Sequence, residues 1–155
     1  AILIEQLPKN LRDTLKKYEV LKEYNAAAYV AATDSFYARH MTVKQWPRAP
    51  IPACDTAAGF NDQPYNYMWG PTEFTATGTL RNFDRVDWLK EVKQPILLIA
   101  GRFDEARPER MYEFQKLMSN AQVTIIENAG HLIMIDQPVA YTRALSNFIH
   151  AVEAK

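Results

Sequence analysis

The sequence predicts an α/β chain in two parts: a helical stretch over residues 1–87, then a strand–helix–strand–helix run over residues 88–155. Three observations predict it. Apolar residues recur at spacings of three and four in LPKNLRDTLKKYEVLKEY, and no alternating run precedes Asp87, which favours amphipathic helix over half-buried strand. QPILLIAG is a continuous apolar run opened by Pro95 and closed by Gly101, the pattern of a parallel strand covered on both faces. QVTIIENAG supplies a second β-branched strand after an amphipathic interval.

Taken in order, the first helix sets Leu11, Leu15, Tyr18 and Leu21 on one face. A second helix is expected over residues 24–40, with Ala27, Val30, Ala31 and Phe36 available for burial. It ends before WPRAPIP, where Pro47, Pro50 and Pro52 remove amide donors and bias the preceding residues toward extended backbone. A short helix is expected around residues 52–60. The aromatic stretch YNYMWGPTEF follows, broken by Gly70 and Pro71. After the first strand, RPERMYEFQKLMSN reads as a helix with Pro108 in its first turn. QPVAYTRALSNFIHAVEAK closes the chain as a helix with Val139, Leu145, Phe148, Ile149 and Val152 for its inner side. Short joins make this a βαβα unit whose polar loops sit at the C-terminal ends of the strands. Two strands do not make an independent sheet, so this part expects further strands.

Composition excludes several classes of function. With 155 residues, 48% hydrophobic content and zero formal net charge, the chain reads as a soluble globular protein with no electrostatic reason to bind nucleic acid, an anionic membrane or a polyanionic substrate. Cys54 stands alone, so neither an internal disulfide nor a thiolate-rich metal site is available. No apolar run reaches the roughly 18 residues of a membrane span, and the first residues do not read as a signal peptide. A reducing, cytoplasmic setting is the expectation. His40 and His150 fall on helical stretches with no acid at metal-ligand spacing, so no zinc site is expected. The lack of a glycine-rich phosphate loop argues against a nucleotide.

The chemistry lies in GRFDEARPE and NAGHLIMIDQP. Asp104 follows the glycine that ends the first strand, and His131 comes 27 positions later, just past the second. Taken singly, Asp104 is a turn acid and His131 a packing residue. As a pair they differ, because parallel strands deliver both following loops to one edge of the sheet. An imidazole takes a proton from a serine hydroxyl only when its other nitrogen is held by an acceptor, which an acid supplies. Acid then histidine, both after the nucleophile, is the α/β-hydrolase order. The nucleophile itself is missing from this sequence. Ser35, Ser119, Ser146 and Cys54 all lack the flanking glycines of a strained elbow, and no HGGG-like oxyanion segment occurs.

From LPKNLRDTLKKYE through FYARHM, YNYMWGPTEF and GRFDEARPE to its end, the chain resembles the proline iminopeptidase family of α/β-hydrolases, near the tricorn-interacting aminopeptidase and the amino acid amidases. The resemblance implies a helical cap (lid) domain over 1–87 and the C-terminal βαβα part of an α/β-hydrolase core over 88–155, with the nucleophile half absent. It also implies catalytic roles for Asp104 and His131. Glu73 matches a cap carboxylate that receives the substrate's α-ammonium, Glu105 the second carboxylate of that site, and Tyr65 a nearby tyrosine. Two carboxylates around one ammonium in a partly dry pocket is sound physics. Trp69 joins these as a wall of an apolar pocket for the first residue. The plain alternatives are that Glu73 caps a short helix after Gly70–Pro71, that Glu105 is a first-turn acid favoured by the helix dipole, and that the aromatics are core.

The implied function is part of a serine aminopeptidase that releases an N-terminal proline or other small or hydrophobic residue. Its partners would be a peptide or amino acid amide with a free N-terminus and the missing N-terminal part carrying the serine. No cofactor or metal is expected. The alternatives are an amino acid amidase or small esterase of the same fold, or a non-catalytic fragment or interaction module.

Overall fold

The computed structural model describes residues 2–44 and 61–154. The short helix expected at 52–60, the proline-rich run and Cys54 lie outside the described residues. Those described form two units, residues 2–36 with 61–84 and residues 37–44 with 85–154.

The first unit is helical. A single turn, α1 (Ile2–Glu5), leads to α2 (Lys9–Leu21), which starts after Pro8 and stops at Lys22 in left-handed backbone. The N–H of Glu23 then returns to the carbonyl of Tyr18, closing the helix end as a left-handed C-terminal residue does. The next helix, α3 (Ala27–His40), begins three residues later than expected and turns a different face inward. Tyr29, Ala32 and Phe36 are buried, whereas Val30 is 45% exposed and Ala27 and Ala31 face solvent. Hydropathy alone could not set the phase of AAAYVAA, which has apolar residues all round. Burial of the Tyr29 ring set it. That ring makes edge contacts with Tyr18, Tyr24 and Phe74, and Phe36 meets Phe74 at 5.2 Å.

The polar centre of this unit is Glu19. Tyr29 Oη and Thr72 Oγ1 donate to the same Glu19 oxygen at 2.5 and 2.6 Å, and Thr72 Oγ1 accepts from the N–H of Phe74. Helix α4 (Asp62–Met68) starts at Asn61, whose side chain accepts from the N–H of Gln63, and it takes in part of the aromatic stretch. The chain leaves it through Gly70, whose φ of 137° would strain any residue with a side chain. Residues 71–74 form bends, so the alternative of a short helix after Gly70–Pro71 for Glu73 to cap is not met.

The second unit carries the sheet. A 3₁₀ turn at Val86–Glu91 precedes β1 (Ile96–Gly101), then α5 (Pro108–Gln115) and β2 (Ala121–Ile126). The strands are parallel, paired from Ile96 with Ala121 to Gly101 with Ile126. Proline opens both α5 and the last helix, where its missing N–H costs nothing. One turn, α6 (Ile133–Asp136), was not anticipated. It leads into α7 (Pro138–Glu153).

Ile126, Ala129 and Ile133 form the core here, with Ile99, Ala140, Tyr141 and Ala144 packed on it. Ala140, Tyr141 and Ala144 thus form the inward side of α7. Val139 and Ile149, expected inside, are 69% and 50% exposed. Complete burial of β1 was also expected. Ile96–Ile99 are only half-buried, because the sheet among the described residues has two strands. No helix among the described residues is long and apolar enough to cross a membrane.

Burial first, and the Glu19 hydrogen bond second, hold the Tyr29 phenol above its usual ionisation range. A proton kept in the folded state and lost in the unfolded one contributes stability that is fully present below the ordinary tyrosine pKa of about 10 and is lost as pH rises past it. Urea unfolding above that pH should show stability falling in the native chain and falling less steeply in Tyr29→Phe. At neutral pH the same substitution should cost about 1–2 kcal/mol.

Candidate active site

Equal strand lengths and parallel register bring the tips of β1 and β2 side by side. Past the last pair, the N–H of Arg102 donates to the carbonyl of Ile126 and that of Phe103 to Ala129. The Arg102 guanidinium grips Glu127 across the two tips, which lowers the Glu127 pKa. These bonds fold the first loop over the second.

Asp104 lies inside this junction, 4% exposed. One carboxylate oxygen accepts from the N–H of Gly101 at 3.2 Å, and the other from the N–H of Ala106 at 2.8 Å. That second oxygen is also 2.9 Å from His131 Nδ1. Asp104 thus fills both of its sequence readings at once, as turn acid and as partner of the histidine. Because a carboxylate only accepts, Nδ1 carries the ring proton and Nε2 is left as the basic nitrogen. The ring is 45% exposed while the acid is buried, so a half-open imidazole rests on an enclosed carboxylate.

Two glycines permit this closeness. A Cβ on Gly101 would meet the carbonyl oxygens of Gly130 and Ala129 at 2.2 and 2.4 Å, and one on Gly130 would meet that of His40 at 2.7 Å. Asn128, in left-handed backbone with φ of 54°, turns the chain between β2 and the histidine.

The sequence reading missed two residues of this region. His40, considered there only as a metal ligand, is buried and donates from Nδ1 to the carbonyl of Phe103 at 2.8 Å. Asp136 is buried at the end of α6, and the acid that interrupts the apolar run LIMID was the available signal for it. Nothing in the sequence tied His40 to a residue 63 positions away.

Tyr65, Trp69 and Glu73 come together in the first unit. Tyr65 Oη donates to Glu73 at 3.1 Å, and Trp69 Nε1 donates to the carbonyl of Thr72 at 3.0 Å. With Pro64, Met68 and Leu80 they line a cavity of about 400 Å³. Glu105 is in the second unit, half-buried and next to Asp104 in the chain. Ser35 donates to the carbonyl of Ala31, and Ser146 lies 3.3 Å from His150 on α7, so both engage their own helices. Among the described residues no group of three His, Cys, Asp or Glu is placed to hold a metal ion.

Parallel strands that present an acid and then a histidine at one edge, after a helical part, define the α/β-hydrolase class. Solved structures of that class match the chain. VinJ has a TM-score of 0.85 at 28% identity, covering 97% of this chain and 51% of that one. Proline iminopeptidase of Mycobacterium smegmatis has a TM-score of 0.82 at 28% identity, covering 98% and 51%. The chain is a relative of the proline iminopeptidases: it is 31% identical over 150 residues to that of Heyndrickxia coagulans and 31% over 148 residues to that of Thermoplasma volcanium. These matches cover 96% and 95% of the chain. It spans about half the length of these curated relatives. No family model matches it.

Gly101→Ala should lower the unfolding free energy by about 1–3 kcal/mol, because backbone and not a flexible side chain must move aside. Chemical denaturation of the 155-residue chain measures this.

Proposed function

We propose that this chain supplies the base, the acid and the amine-binding site of a serine aminopeptidase of the proline iminopeptidase type, acting in the cytoplasm. The observation that carries the reading is the 2.9 Å bond between His131 Nδ1 and buried Asp104 at the tips of adjacent parallel strands. The relatives named proline iminopeptidase support the reaction type.

The serine comes from the part of the fold that this chain does not span. Its hydroxyl attacks the amide carbon while His131 Nε2 takes the proton, and Asp104 stabilises the imidazolium that forms. His131 then gives the proton to the leaving amine, and water repeats the cycle on the acyl-enzyme. Residues 1–87 act as the cap and residues 88–155 as the last part of the core. Glu73 and Glu105 hold the substrate's α-ammonium, which restricts cleavage to the first residue. Tyr65 orients Glu73, and Trp69 with its apolar neighbours walls the pocket for a proline-sized or other hydrophobic side chain. No cofactor is needed. The same machinery would serve an amino acid amide or a small ester, since pocket walls set that difference.

Coexpression with the half of the Heyndrickxia coagulans protein that this chain does not match, followed by assay on prolyl and alanyl arylamides, tests the reading. His131→Ala should lower kcat by at least about 10³-fold. Glu73→Gln should raise KM for free-amine substrates and narrow the gap to N-acetylated ones. Undiminished activity in His131→Ala overturns the proposal.

A further inference from the structure

We propose that Thr42 and Asp136 are positioning residues for His131, acting through the backbone of the loop that carries it. This rests on the reading of His131 and Asp104 as base and orienting acid, and adds how the base is held.

Asp136 is 1% exposed, as is Thr42. A carboxylate withdrawn from water is costly unless donors saturate it. Here the donors come from two distant segments. Thr42 Oγ1 donates at 2.5 Å and the N–H of Val43 at 3.1 Å from one side, and the N–H of Gly130 donates at 2.8 Å from the other. The next two amides are bound as well. The N–H of His131 donates to the carbonyl of His40, and that of Leu132 to the carbonyl of Met41, both at 2.7 Å. The acceptors belong to the end of α3, where helical carbonyls lack partners of their own. Three consecutive amides, 130 to 132, are therefore fixed to residues 40–43, two directly and one through Asp136.

The same short segment reaches the acid's loop, since His40 Nδ1 donates to the carbonyl of Phe103 beside Asp104. Residues 40–43 thus bracket both members of the pair. The exposure of the His131 ring shows why this matters. At 45% exposure, the imidazole is only partly enclosed. Its place depends in part on the Asp104 bond and on where the backbone puts its Cβ, and the second of these is what the bracket controls.

The test reads the ring nitrogens of His131 by NMR in the 155-residue chain, at a pH where the imidazole is neutral. In the unmodified chain the Nδ1-protonated tautomer should dominate. Thr42→Val, which keeps side-chain shape and removes the hydroxyl, and Asp136→Asn should each shift His131 toward a mixture of tautomers. Thr42→Ser should retain the original state. Ile126→Val, which loosens the nearby core without touching the bracket, should lower the melting temperature and leave the tautomer alone. An unchanged tautomer in folded Thr42→Val or folded Asp136→Asn overturns the inference while leaving the pair intact. Absence of the Nδ1-protonated form in the unmodified chain would overturn the pair itself, and the positioning role with it.

Discussion

The register between β1 and β2 is the constraint on which the site depends. Ile96 pairs with Ala121 and Gly101 with Ile126, so two loops of different sequence leave the sheet at one level. The acid reaches the histidine because both strands run the same way for the same length. A slip of one residue would turn the inward side chains of a strand to its other face. It would also carry Asp104 about one residue rise, roughly 3.3 Å, away from the imidazole. The glycine that ends β1 and the one before His131 belong to the same constraint. They remove the Cβ atoms that would hold the two loops apart.

Charge is handled differently in the two units. Around Glu19 a hydroxyl cluster from Tyr29 and Thr72 meets one carboxylate oxygen and stiffens the turn beside Glu73. Around Asp104 and Asp136 the donors are mostly backbone amides, which belong to no side chain that could swing away. Carboxylates satisfied in this way are rigid fittings. One of them is left with a single outward partner, the half-exposed His131.

The strands, the last helix and the acid–histidine pair were legible in the sequence, because each is a local pattern or follows from the edge rule for parallel strands. GRFDEARPE and NAGHLIMIDQP carry their meaning within a few residues. The inward face of α3 was not legible. Alanines on all sides of Tyr29 leave hydropathy without a direction, and the ring's partners lie as far off as Phe74. The bracket at residues 40–43 was illegible for a related reason. Thr42 and Asp136 are 94 positions apart, and neither forms a recognisable motif with its neighbours. The half-burial of β1 departs from expectation because a continuous apolar run reports what a strand is made for, not how many strands lie beside it.

The binding of the histidine's loop to residues 40–43 also bears on the order in which the molecule assembles. Strand pairing between β1 and β2 spans a short stretch of chain and closes a small loop. The bracket must bring together segments about ninety residues apart, a slower search by loop-closure entropy. A polypeptide begun after residue 44 would keep both strands and the acid–histidine pair in its sequence, yet the amides of His131 and Leu132 would lose the carbonyls of His40 and Met41. The seat of the histidine is thus held in part by residues that no stretch of chain near it contains.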